Sequence, residues 1–178
     1  MSTIISITAL ASISPLGNDS KTIWENYLSD GHCFSKKQLD NQETWVAELD
    51  ADSKQIIAEL QASDIKYKFL DKSVLYAMAA SRQAIVNAGW NSDSVFGINI
   101  GSSRGATELF EKHYKEYLET GKSQTLASPT TTLGNISSWV GHDLQCTGPE
   151  ISHSITCSTA LHALLNGVAW LRAGMVDK

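Results

Sequence analysis

The chain has 178 residues, with 14 Lys and Arg against 19 Asp and Glu for a net charge of −5, a balance that gives no electrostatic footing for nucleic acid. Apolar residues make up 42% and charged residues 19%; with five tryptophans and no low-complexity tract, this is a packed globular chain, either one domain or part of a larger one. Nowhere do about 18 apolar residues run together, so no transmembrane helix is expected.

The opening MSTIISITALAS holds an Ala9-Leu10-Ala11 that imitates a signal-peptidase site, but no Lys or Arg precedes it and the apolar run is too short. Residues 3–9, rich in Ile and Thr, read instead as a strand closed by the turn Ser14-Pro15-Leu16-Gly17. Asn18, Asp19 and Ser20 offer N-caps for a short helix that puts Ile23, Trp24, Tyr27 and Leu28 on one side and ends near Gly31. Residues 33–64 show little period and are expected to make a surface excursion of short elements.

Over residues 66–88 the positions Leu70, Val74, Met78, Ser81, Ile85 and Ala88 keep three and four spacing, and Gly89 follows as a C-terminal stop. This is the clearest amphipathic helix. Residues 94–100 are a β-branched run that breaks into the turn Gly101-Ser102-Ser103-Arg104-Gly105, and a charged helix follows over 107–119. Strand, glycine turn and helix in succession point to α/β layering. The turn lacks G-x-G-x-x-G and a Walker lysine, which argues against a dinucleotide-binding or phosphate-binding module. Glu108, Glu111, Lys112, Lys115, Glu116 and Glu119 read as a solvated face with i,i+4 pairs. Ser128-Pro129 opens a segment to Leu144 whose Gly and Ser content suits close helix packing. Thr147-Gly148-Pro149 then restarts the chain into a strand over 150–156, with Ile151, His153 and Ile155 pointing one way.

Cys33, Cys146 and Cys157 form no CxxC pair and no zinc-type spacing with the five histidines, so no metal is expected and a reducing compartment, the cytoplasm, is. Cys157 stands out by position. It follows the strand directly and opens the helical run LHALLNGVAWLRAG, which Gly174 stops. At a helix N-terminus, free N–H groups and the dipole favour a thiolate, and the cysteine's own N–H can face an oxyanion on an attached acyl group. The dipole supplies only about 0.3–1 kcal/mol, so a base, commonly histidine, must complete the activation. His153 and His162 are near in sequence, yet their spacing from Cys157 suits neither, and both read as packed histidines. The helix itself leaves almost no polar side and is expected to be buried all round, between two partners. One layer is therefore missing from these residues.

At these residues the chain resembles the β-ketoacyl-acyl carrier protein synthases, elongating condensing enzymes of the thiolase fold. ITALASISPLGN resembles their opening strand and turn, DKSVLYAMAASRQAIVNAG the early helix, and GINIGSSRGATE the strand and glycine turn. The most specific stretch is SPTTTLGNISSWVGHDLQCTGPEISHSITCSTALHALLNGVAWLRAG. The resemblance implies an αβαβα layered α/β fold made of two similar halves, of which this chain is the N-terminal one, with a mixed sheet and the cysteine helix buried at its centre. It also implies that Cys157 takes an acyl group from acyl carrier protein and passes it to the carbanion left by decarboxylation of malonyl-acyl carrier protein. Two histidines and a supporting lysine come from the second half in that family, so His142, His153 and His162 are not assigned to their roles. No cofactor is implied; a homodimer or heterodimer is. Arg104 takes the place of the apolar residue that gates the family's acyl pocket, which leaves the acyl specificity open. The alternative within the family is a non-catalytic partner resembling a chain length factor, against which the intact Cys157 argues.

Overall fold

Four helical segments of this chain begin on an aspartate. In the computed structural model, which describes residues 4–39, 41–91 and 95–178, Asp19 accepts the backbone N–H groups of Lys21 and Thr22 and opens α1 (Ser20–Leu28). Asp50 accepts from Ser53 N–H at 2.8 Å at the start of α2 (Ala51–Ser63). Asp64 caps a short 3-10 turn (Ile65–Phe69), and Asp71 caps α3 (Lys72–Ala88) through Ser73 N–H. Each carboxylate satisfies donors that a helix start leaves unpaired and sits at the positive end of its dipole.

α3 is the amphipathic helix expected over 66–88, although the residues before Asp71 form the separate 3-10 turn. Val74, Leu75 and Met78 are fully buried, and the helix stops where Gly89 turns left-handed at φ 65°, a conformation glycine adopts without penalty. The unperiodic stretch before it contains an antiparallel hairpin, β1 (Phe34–Leu39) against β2 (Gln42–Ala47), with Phe34 opposite Ala47. It lies on the surface as expected. α2 is the exception there, a 13-residue helix that buries Ser53, Ile57 and Leu60. Glu48 ties hairpin to helix by pairing with Lys37 and Lys54, whose ammonium groups bring its carboxyl down to about 2.

The second half of the chain runs β3 (Ile98–Gly101), α4 (Thr107–Thr120), α5 (Ala127–Thr131), α6 (Asn135–Leu144), β4 (Glu150–His153) and α7 (Thr159–Arg172). β3 and β4 pair in parallel, from Ile98 opposite Glu150 to Gly101 opposite His153, and the helical crossover between them is what parallel pairing demands. The core lies on one face of this pair, where Leu60, Val74, Met78 and Val140 meet Ile98. α7 lies on the other face, so the layers read helix, sheet, helix.

The chain is thus α/β, but two strand expectations change. Among the described residues the sheet is not one mixed sheet: the antiparallel hairpin and the parallel pair are separate. Residues 4–9 form no strand, and Ile4 and Ile7 are open to solvent; Thr3, and Ser94 at the head of the other expected strand, lie outside the described residues. A strand needs a ladder for its N–H and C=O groups, and no described edge takes up residues 4–9. β3 is likewise shorter than the expected run and starts at Ile98.

α4 has no buried residue and carries the expected solvated charge, with Lys115 and Glu119 4.0 Å apart. Its first turn is fixed from outside: buried Asp71 accepts Leu109 N–H at 3.0 Å, and Lys72 pairs with Glu108 at 3.2 Å. α3 and α6 are locked together by a second carboxylate. The Asp143 side chain is 2% exposed and takes two hydrogen bonds from Arg82 and one from the Tyr67 hydroxyl at 2.8 Å. Burial opposes its charge, but Arg82 and Tyr67 outweigh that and hold the carboxyl below its ordinary value. The resulting stability is present above the ordinary carboxylate value and is lost as pH falls through the lower folded one.

Arg82→Ala leaves this buried carboxylate underpaired and is expected to cost about 1–3 kcal/mol at neutral pH. The loss, read from urea unfolding midpoints, shrinks as pH drops below the carboxylate range; a pH-independent loss would mean that the pair's charge is not what stabilises the α3–α6 contact.

Candidate active site

β4 ends at His153, short of the expected 150–156, because the backbone turns sharply just after it. Thr156 has φ 49°, a left-handed conformation that a β-branched residue adopts only under strain of about 1–3 kcal/mol. A single 3-10 turn, Thr156–Ser158, then feeds α7. Cys157 is the middle residue of that turn and is exposed. The expected order of strand, cysteine and helix is therefore observed, with an abrupt corner at its centre.

Two neighbours hold the corner. Thr159, buried at 3%, accepts the Ile155 N–H through Oγ1 at 2.8 Å and donates the same hydroxyl to the Thr156 carbonyl at 2.6 Å. The glycine turn after β3 supplies the rest. Ser102 N–H donates to the His153 carbonyl, Ser154 Oγ to the Ser103 carbonyl, and Ser103 Oγ to the Thr156 carbonyl at 3.1 Å. Ser103 and Thr159 thus act on the backbone that presents Cys157, and Ser154 ties the corner back to the glycine turn.

The seat of α7 is Gly101. A methyl group at this position would stand 2.7 Å from the Thr159 carbonyl oxygen and 2.9 Å from its carbon, closer than backbone atoms tolerate, so only glycine lets the helix start lie on β3. Neither this contact nor the strain at Thr156 is visible in sequence spacing. The signals available were a glycine at a strand end and a hydroxyl residue two positions after the cysteine.

None of the three histidines is brought to the sulfur by a hydrogen bond among the described residues. His162 Nδ1 lies 3.0 Å from the Ser158 carbonyl one turn back on its own helix, the geometry of an Nδ1–H donor. His153 lies on β4 in register with Gly101, and both its ring nitrogens are buried with no partner among the described residues. His142 sits on α6, edge-on to Trp139 at 5.7 Å. Among the described residues no three His, Cys, Asp or Glu side chains gather as a metal site.

α7 is not buried all round in this chain. Its sheet side is covered, while Leu161, Leu164 and Leu165 are 70%, 59% and 62% exposed. The described residues provide one neighbouring layer and none on the far side. Arg104 is exposed on the glycine turn and lines a 420 Å³ pocket with Phe110, Leu133 and Ser154 among others; the pocket adjoins the cysteine corner through Ser154.

The described fold agrees with what other proteins show. Residues 3–178 match the family described as beta-ketoacyl synthase, N-terminal domain. The chain is 26% identical to 3-oxoacyl-[acyl-carrier-protein] synthase 2 of Staphylococcus aureus over 96% of its own length and 44% of the relative's. It is also 26% identical to the protein of that name in Coxiella burnetii, over 88% of this chain and 39% of the relative. The chain therefore spans less than half the length of these curated relatives. Among solved structures it resembles the ishigamide ketosynthase/chain length factor, with a TM-score of 0.77 and 17% identity over 96% of this chain and 44% of that one. A beta-ketoacyl synthase from Burkholderia phymatum gives a TM-score of 0.68 at 17% identity, over 96% of this chain and 44% of its own. At these identities the two structures establish the thiolase-like α/β fold.

Gly101→Ala is expected to lift α7 off β3 and cost about 1–3 kcal/mol by overpacking, measured as a fall in thermal midpoint; an unchanged midpoint would mean the two elements are not in contact. Thr159→Val keeps the shape but leaves the Ile155 N–H and Thr156 carbonyl unpaired, with a loss of about 1–3 kcal/mol, whereas Thr159→Ser retains most of the stability.

Proposed function

The chain belongs to the β-ketoacyl synthase family, and from that premise we propose that its 178 residues are the N-terminal portion of a β-ketoacyl-acyl carrier protein synthase whose C-terminal half lies outside this chain. A condensing role follows from the family. Cys157 as the acyl acceptor is our assignment, and the observation that carries it is an exposed thiol on a strained strand-to-helix corner at the start of α7. Such a turn holds a nucleophile clear of the sheet, where substrate can reach it.

The Cys157 sulfur attacks the acyl thioester on acyl carrier protein. A new thioester bond forms, the bond to the carrier's sulfur breaks, and the proton lost from Cys157 ends on the carrier thiol. Malonyl-acyl carrier protein then releases carbon dioxide, and the carbanion left behind attacks the Cys157 thioester carbonyl. The new carbon–carbon bond expels the cysteine as thiolate and leaves a β-ketoacyl chain two carbons longer. Cys157's own N–H serves the oxyanion, a contribution whose removal in such sites costs roughly 100-fold to 1,000-fold in rate. Two histidines and a lysine supplied from outside this chain polarise the malonyl thioester. The geometry around His142, His153 and His162 supports leaving them out of these roles.

The bare side of α7 supports assembly with a further layer, from the second half or a partner subunit, in a homodimer or heterodimer. A second reading, a silent partner subunit resembling a chain length factor, draws on the likeness to solved structures described as a ketosynthase with a chain length factor. The intact cysteine favours the catalytic reading.

Full-length protein incubated with an acyl thioester is expected to gain one acyl group by intact mass, and Cys157→Ala none. Absence of an adduct on the assembled wild-type protein would favour the silent partner.

A further inference from the structure

The pocket beside the cysteine corner has an uncommon lining. Ser103, Arg104, Thr107, Thr131 and Ser154 give it a guanidinium and four hydroxyls, while Phe110 and Leu133 form its apolar wall. No Asp or Glu lines it. Among the described residues Arg104 has no carboxylate partner, in contrast to Arg82, which is held by Asp143. The acid that follows it on α4, Glu108, is turned to Lys72. An uncompensated guanidinium therefore stands at a pocket rich in hydroxyls, in a chain whose net charge is −5.

A plain alkyl chain would cover Phe110 and Leu133 but strip water from a guanidinium it cannot pair. A carboxylate suits it: the guanidinium can take it in two parallel hydrogen bonds, and the Thr107 hydroxyl can donate to a remaining lone pair, the Ser103, Ser154 and Thr131 protons being held by backbone carbonyls. The wall of Phe110 and Leu133 accommodates a short carbon chain between the carboxylate and the thioester. The pocket adjoins the corner that presents Cys157, since Ser154 lies three positions before that residue and Ser103 holds the Thr156 carbonyl.

We infer that Arg104 is a specificity residue that selects acyl groups bearing a carboxylate at the end away from the thioester, that is, half-thioesters of dicarboxylic acids. The inference rests on Cys157 being the acyl acceptor. The rival source of an anion is the phosphate of the carrier's prosthetic arm, so the test uses N-acetylcysteamine thioesters, which carry none. Acylation of Cys157 in the full-length assembled protein is followed by intact mass with glutaryl and pentanoyl N-acetylcysteamine. Arg104→Gln is expected to lower the glutaryl-to-pentanoyl rate ratio by about 10-fold, the lower end for a charged hydrogen bond. An unchanged ratio overturns the inference, as does a loss confined to thioesters carried on phosphopantetheine. Should neither thioester label Cys157, the assignment of that residue fails instead, and glutarate binding by calorimetry decides on Arg104. Binding about 10-fold weaker in Arg104→Gln sustains the anion site, and equal binding removes it.

Discussion

The first turn of α7 rests directly on β3 because residue 101 has no side chain. With the Thr159 carbonyl 2.7 Å from where a methyl group would sit, strand and helix start are as close as backbones come. Everything that defines the candidate site descends from that approach. The helix start can be reached from β4 only by a corner, the corner forces Thr156 into the left-handed region, and the residue at its apex is Cys157. The turn after Gly101 is then near enough to clamp the carbonyls of the corner, Ser102 N–H on His153 and Ser103 Oγ on Thr156, which is how a conformation costing about 1–3 kcal/mol is kept.

Much of this frame was legible in the sequence. The three and four spacing through Val74 and Met78, with Gly89 behind it, located α3 and its end; Asn18, Asp19 and Ser20 bracketed the start of α1; and the order of strand, cysteine and apolar helix located the corner that carries Cys157. Periodicity failed where burial gave it nothing to record. β1 and β2 are exposed on nearly every residue, so no alternation marked the hairpin. Residues 4–9 carry the composition of a strand but find no ladder among the described residues. The left-handed Thr156 and the double role of the Thr159 hydroxyl are properties of backbone geometry, which side-chain type does not encode. Apolarity of α7 was read as a need for two neighbours; the described residues supply one, and Leu161, Leu164 and Leu165 stay exposed.

The histidines illustrate the same limit from the other direction. Nearness in sequence made His153 and His162 worth weighing, yet a strand and a helix carry them away from the sulfur: one lies under α7 in register with Gly101, the other turns back to Ser158. Under the proposed reading of Cys157 as acyl acceptor, the described residues would position the attack and leave proton management to groups outside them.

The aspartate that caps α3 also grips the Leu109 N–H of α4, and Thr107 and Phe110 on that same first stretch of α4 form part of the Arg104 pocket. One face of the pocket is therefore steered from the opposite end of a buried carboxylate. Substitutions in the opening turn of α3 can shift that wall while leaving Cys157 and its corner intact. If Arg104 sets the acyl preference proposed above, that preference can drift through residues that never meet a substrate, while the corner at Cys157 stays as it is.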